Sequence, residues 1–255
     1  ETFSILKEKG MKMKCVTVKA KEKICPMEKA ECNPEFCERA KGHFDRINEA
    51  VFELLTQEDE INRTLIEVYA KKHCVCPFEM ALDVTTWADA IICDYNYVFD
   101  PEVKLKRFFS EGNPGLGTYL FLVDEAHNLV ERGRQMYSAM LRKEDILKVK
   151  RLIKGRSKNL EAKLEICNRD FLQIKRQCDS CLILEELEQE ALHILNLYGA
   201  LDQFLKDYRN FQGREEVLEF YFEVAKFESV YESLNDKYRM YADYDREGNL
   251  CVHLA

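Results

Sequence analysis

Asp124, Glu125, His127 and Asn128 follow directly on an uncharged run, Tyr119-Leu120-Phe121-Leu122-Val123. A run of aliphatic and aromatic residues without charge reads as a strand buried on both faces of a parallel sheet. Ligands in open α/β sheets sit just beyond the carboxyl ends of such strands. Two carboxylates at that place suit a nucleotide. Mg²⁺ takes few protein oxygens and leaves its other positions to water and phosphate. Asp124 is therefore expected to hold the metal shell, and Glu125 to orient and deprotonate an attacking water.

The cysteines are a second candidate chemistry. The chain has eleven, and no basic-then-apolar leader opens it, so metal or redox use is expected ahead of disulfides. The spacing Cys25-x6-Cys32-x4-Cys37-x38-Cys76 supplies four thiols. A cubane cluster needs four, one per iron, and tetrahedral zinc accepts the same number. Only the gap from Cys32 to Cys37 falls in the range of a zinc knuckle, and proline follows both Cys25 and Cys76, which tilts the spacing toward a cluster. Spacing does not choose between Cys74 and Cys76. Cys76 precedes Pro77 at a helix start, where the dipole stabilises a thiolate, and is taken as the fourth ligand. Cys178 and Cys181 lie in a helical pattern and read as a buried helix face. The five histidines, His43, His73, His127, His193 and His253, show no ligand-like spacing.

These groups need a frame. Residues Glu1 to Lys9 read as a helix closed by Gly10, and Met13 to Val18 as a strand. Glu38 to Leu55 carries Phe44, Ile47, Val51, Leu54 and Leu55 at helical spacing, and a second helix presents Ile61, Leu65, Val68 and Tyr69. With so little apolar surface, the segment from Cys25 to Pro77 is expected to depend on a metal or cluster staple. Pro77 opens a helix to about Trp87. Ala88 to Asp94 then reads as a buried strand, Asp100-Pro101 opens another helix, and the glycine-proline loop 111–117 feeds the strand before Asp124, which makes a right-handed βαβ unit. Beyond Asn128 no strand signal is legible before Leu250–Leu254. Helical patterns run over Lys143 to Cys178, Leu182 to Tyr208 and Arg214 to Tyr241, which reads as an all-helical module.

A net charge of −8 argues against a protein that coats nucleic acid non-specifically, but allows a local basic groove. From Arg142 to Lys163 nine basic residues stand against three acidic ones. Such a run is a solvated helix face more often than a binding surface. No apolar run reaches the ~20 residues of a membrane span, so a cytoplasmic protein is expected. Gly-x-x-x-x-Gly-Lys-Ser/Thr does not occur. The sequence therefore reads as part of a larger ATPase, inactive by itself.

The apolar run ending in Asp124-Glu125-Ala126-His127 resembles the Walker B element of superfamily 2 helicases, their DEAH box. Together with the cysteine segment, the strand Ala88 to Asp94 followed by Tyr95-Asn96-Tyr97, and a helical module before a new strand, the order resembles the XPD/DinG family of iron–sulfur DNA helicases. Lys21-Glu22-Lys23-Ile24-Cys25 and Val75-Cys76-Pro77-Phe78-Glu79 resemble the segments that carry that family's first and fourth cluster ligands. The resemblance implies an α/β plus all-α fold: a partial RecA-like parallel sheet, an inserted helical Fe–S domain and a helical arch. It assigns 1–24 and 81–135 to RecA-like motor domain 1, 25–80 to the cluster domain, 136–249 to the arch and 250–255 to the next domain. It further implies 5′ to 3′ unwinding of DNA driven by ATP and Mg²⁺ in repair or recombination, with single-stranded DNA and a DNA fork as partners. Under it Cys25, Cys32, Cys37 and Cys76 bind a [4Fe–4S] cluster, Asp124 and Glu125 serve Mg²⁺ and water, and His127 couples nucleotide state to a second motor domain. Lys148, Lys150, Arg151 and Lys154 would then border the DNA path. The competing expectation is a zinc-stapled DNA-binding or scaffold protein with a non-catalytic acidic motif.

Overall fold

Strand β1 (Cys15–Thr17) lies at the centre of a parallel sheet, with β2 (Glu60–Ile61) on one side and β3 (Ala90–Ile92) on the other. Val16 pairs with Ile61 and with Ile91. It is fully buried. The computed structural model describes residues 2–28, 32–109 and 119–255, so the loop expected at 111–117 lies outside the described residues. The chain forms two compact units, 1–120 and 121–255.

In the first unit, helices α1 (Thr2–Glu8) and α2 (Lys21–Ile24) flank β1 in sequence, and α3 (His43–Gln57), α4 (Arg63–Lys72) and α5 (Pro77–Val84) pack around the sheet. The spacing of Ile47, Val51 and Leu54 puts one stripe of α3 inside. The Asn62 side chain caps α4 by accepting from the Leu65 N–H at 3.1 Å, and Pro77 occupies the first turn of α5. Lys14 Nζ donates to the Leu55 carbonyl at 2.6 Å and the Glu58 carbonyl at 3.1 Å, which satisfies the C-terminal end of α3. Short helices α6 (Asn96–Phe99) and α7 (Lys106–Phe109) complete the unit.

The core of this unit corrects the expectation of an apolar-poor cysteine segment. Val16, Ile24, Leu54, Ile61, Ile66, Val75, Met80 and Val84 form one buried cluster. At about 1.5–3 kcal/mol per fully buried aliphatic side chain, α3 to α5 need no metal in order to pack. Among the described residues of 25–42, by contrast, no side chain is buried.

A second correction concerns residues 119–123. They form no strand, and Leu120 and Leu122 are 87% and 90% exposed. A ladder needs a neighbour, and no described strand pairs with this run. The βαβ unit expected around it is not formed among the described residues.

The second unit holds α8 (Leu129–Tyr137), α9 (Lys143–Leu152), α10 (Lys158–Gln177), α11 (Glu188–Asp207) and α12 (Arg214–Glu232). It also holds an antiparallel sheet of β4 (Ala139–Arg142), β5 (Cys181–Ile183), β6 (Met240–Tyr244) and β7 (Leu250–Leu254), ordered β4-β7-β6-β5. The mixed α/β class holds, but only β7 was legible in the sequence. Leu182, Ala242, Val252 and Leu141 stand opposite one another across the four strands, and all but the half-buried Leu182 are buried. This row faces the core that Ile146, Leu164, Phe171, Leu197 and Phe227 build from α9 to α12. The expected helix over 143–178 is broken at Gly155, which has φ of 77°, and restarts where the Ser157 hydroxyl caps α10. Among the described residues no helix is long and apolar enough to cross a membrane.

Candidate functional site

Asp124, Glu125 and His127 lie in one exposed turn. Asp124 Oδ1 accepts from the Glu125 N–H at 2.9 Å, and the Glu125 carbonyl accepts from the Asn128 N–H at 2.9 Å. Glu125 is held in the left-handed region, with φ of 50° and ψ of 40°, a conformation that costs a non-glycine residue of order 1–3 kcal/mol. Its Oε2 is 3.3 Å from His127 Nδ1. The turn brings all three predicted residues together and leads into α8, with the carboxylates open to solvent.

The cysteines converge around the start of α5. Cys25 closes α2, which packs on α5, and Cys76 is the residue before Pro77. Burial pushes the Cys76 thiol up; the backbone N–H groups of Glu79 and Phe78 pull it down, and the nearby Cys32 raises it again. Those N–H groups are what a thiolate ligand needs. The Cys37 carbonyl accepts from the N–H groups of Ala40 and Lys41, in a turn that includes Arg39, whose Nη1 donates to the Val75 carbonyl at 3.2 Å. The segment carrying Cys37 is thus tied to the one carrying Cys76. The four sulfurs do not gather as one ion would require. The one group of three or more donors within 4.8 Å among the described residues is elsewhere. A cubane takes one thiolate per iron and so sets its four sulfurs further apart than one zinc ion does.

Three residues that spacing did not single out hold this region. Arg46 donates to the carbonyls of Lys41 and Cys74 at 2.7 Å each and of His73 at 3.1 Å. Buried His43 accepts the Cys76 N–H on Nδ1 at 3.3 Å. Glu53, hydrogen-bonded by Lys72 and His73, is held below the usual carboxylate range, and its 2.6 Å contact with His73 ties α3 to the end of α4. Cys74 itself sits at φ 52°, a turn conformation that its carbonyl bond to Arg46 supports. The cue in the sequence was Arg39 and Arg46 at helical spacing beside the cysteines.

Lys148, Lys150 and Arg151 project from α9, and Lys154 follows it. Lys150 is ion-paired with Glu165, and Arg151 with Glu144; Lys148 and Lys154 are exposed. Leu147, Lys150, Arg151 and Lys154 line an open groove together with Glu144 and Glu161. Its sign is mixed. Cys178 is buried at the end of α10, as expected, while Cys181 is exposed on β5.

A small parallel sheet with an inserted cysteine segment, and a second unit of helices packed on an antiparallel sheet, define a mixed α/β protein. The DEAD_2 family matches residues 5–146, more than half of the chain, and the chain belongs to that family. It is 30% identical over 114 residues to a regulator of telomere elongation helicase 1 homolog of Anopheles gambiae, over 45% of this chain and 10% of that protein. It is 31% identical over 68 residues to a Fanconi anemia group J protein homolog of Gallus gallus, over 27% of this chain and 5% of that protein. The matched stretches are thus small parts of long relatives. A solved structure described as truncated XPD shares the fold, with a TM-score of 0.53 and 14% identity over 99% of this chain and 69% of that one.

Proposed function

We propose that this chain is the cluster-bearing and motif II part of an ATP-dependent DNA helicase that moves 5′ to 3′. The observation that carries the reading is that one family match, residues 5–146, encloses both the Asp124-Glu125 pair and the four cysteines Cys25, Cys32, Cys37 and Cys76. On this reading 1–24 and 81–135 belong to the first RecA-like motor domain, 25–80 to the Fe–S domain and 136–249 to the arch; 250–255, expected to open a next domain, pair as β7 with β4 and β6 and go with the arch.

Asp124 binds the Mg²⁺ of the substrate MgATP through its carboxylate. Glu125 accepts a proton from the water that attacks the γ-phosphate, and His127 relays nucleotide state. A [4Fe–4S] cluster supplies rigid cross-linking where hydrophobic burial is missing. Cys25, Cys32, Cys37 and Cys76 hold it, with the N–H groups at the start of α5 stabilising the Cys76 thiolate. Lys148, Lys150, Arg151 and Lys154 offer phosphate contacts to single-stranded DNA at a fork. The helicase name of the Anopheles gambiae relative supports this class.

The test is Glu125→Gln in the longer protein that carries this chain. Loss of the proton acceptor is expected to slow ATP turnover by on the order of 10²–10⁴-fold while nucleotide binding stays. Turnover near wild type would remove Glu125 from the reaction. Iron and sulfide assays on anaerobically prepared chain test the cluster separately: stoichiometric zinc without sulfide would replace it by a zinc staple.

A further inference from the structure

The face of the antiparallel sheet opposite Ala242 and Val252 carries a donor set that the function above does not use. Cys251 on β7 stands opposite Asp243 on β6, and His253, two residues on along β7, stands opposite Tyr241. Residues paired in this way, and residues two apart on one strand, share a face. A carboxylate oxygen, a thiol sulfur and an imidazole nitrogen of Asp243, Cys251 and His253 all lie within 4.8 Å of one another. His253 Nε2 is 2.8 Å from Asp243 Oδ1. Its ring stacks on Tyr241 with centroids 4.6 Å apart and planes 5° off parallel, which fixes the ring with Nε2 turned toward the carboxylate.

We propose that Asp243, Cys251 and His253 bind one Zn²⁺ ion on this face, with water completing the tetrahedron. The geometry asks for little movement. With metal–ligand distances of about 2.0–2.3 Å, the edges of a tetrahedron are about 3.3–3.7 Å. The thiol closes in by about 1 Å at most, and the His–Asp pair opens by about 0.5 Å as the ion replaces the shared proton. Mixed nitrogen, sulfur and oxygen donors select zinc over Mg²⁺ or Ca²⁺, which want oxygen alone. Thiolate and carboxylate together balance the 2+ charge. Arg142, opposite Cys251 on β4, is engaged by Asp145 at 3.0 Å, and Asp245 is taken up by the N–H groups of Glu247 and Asn249 at 2.9 and 2.8 Å. Cys251 Sγ, buried at 1% exposure, lies 3.6 Å from the Asn249 carbonyl and is also hydrogen-bonded at the Asp245 backbone; both are weak contacts of a thiol. A zinc ion would replace these weak contacts with a metal–thiolate bond. The ion would pin β6 to β7.

The experiment is competition of Zn²⁺ against a chromophoric chelator, with Co²⁺ absorption alongside, on the 255-residue chain. The background is Cys37→Ser/Cys76→Ser, which disables the other cysteine group. One equivalent with a single-thiolate cobalt spectrum is expected to remain. It is expected to weaken on the order of 100-fold in Cys251→Ala and in His253→Gln, and to survive Cys181→Ser. His253 is half-exposed, so His253→Gln decides the matter if Cys251→Ala fails to fold. Absence of that equivalent in the background, or unchanged affinity in His253→Gln with native circular dichroism, would overturn the site.

Discussion

Glu228 sits in α12 and is only 8% exposed, and its Oε1 has no hydrogen-bond partner. Burial, and then the charge of Glu232, raise its carboxyl to about 7. The folded unit therefore holds a proton on Glu228 in a range where the unfolded chain has lost it. The stability it allows is fully present below about pH 4.5, falls as pH rises toward about 7, and is flat above that. The gap from the ordinary value of 4.5 to about 7, at 1.36 kcal/mol per pH unit, amounts to about 3 kcal/mol. Glu228→Gln keeps the shape and removes the ionisation. Wild type should lose about 3 kcal/mol relative to this variant between pH 5 and pH 8, an urea midpoint difference of about 1–3 M at the usual slopes. Urea titrations followed by far-ultraviolet circular dichroism at four pH values measure it. Parallel midpoint profiles for the two proteins would show that Glu228 is solvated or partnered in solution, and the reasoning from burial would fail.

Three residues of the cysteine group supply the next prediction. Cys37→Ser and Cys76→Ser should lose iron and expose residues 25–42 to protease while 43–84 stay protected, and Cys74→Ser should keep its iron; iron assays with limited proteolysis read all three, and loss of iron only in Cys74→Ser would show the wrong fourth ligand. Replacing Lys148, Lys150, Arg151 and Lys154 with Ala should weaken single-strand binding and lower the slope of log affinity against log salt by about 0.7 for each phosphate contact removed. An unchanged slope would leave the run as a solvated face, which the ion pairs to Glu144 and Glu165 already favour for Arg151 and Lys150.

Much of the first unit was legible because its signals are local. Pro77 at a helix start and the stripe Ile47, Val51 and Leu54 each act within one or two turns. The misses at the strands depend on partners distant in sequence. Residues 119–123 have the composition of a buried strand, yet composition cannot provide the neighbour that a ladder needs. Conversely, Ala139–Arg142 and Met240–Tyr244 are strands because each is covered by β7, although Met240 and Tyr241 extend a helical pattern in the sequence. The same non-local pairing hid the donor set. His253 and Cys251 become neighbours of Asp243 only through the register of β6 and β7, and no spacing rule along the chain would join them.

The cysteine segment shows what a cluster is needed for and what it is not. Residues 43–84 bury Leu54, Ile66, Val75 and Met80 without exposure, so α3 to α5 stand on ordinary hydrophobic packing. The segment from Cys25 to Gly42 has no such anchor among its described residues, and its ties to the core are polar: Arg39 to Val75 and Arg46 to Lys41. Each such bond contributes about 0.5–1.5 kcal/mol net, too little to order some eighteen residues that each cost about 1–2 kcal/mol to fix. Three of the four proposed ligands, Cys25, Cys32 and Cys37, fall inside that segment, and the fourth, Cys76, is fixed on the packed helix pair by Arg46, His43 and the first turn of α5. On the proposed reading the burial pattern divides the labour: the helices would supply a rigid post at Cys76, and a cluster would fasten to it the described residues of 25–42, none of which has a buried side chain.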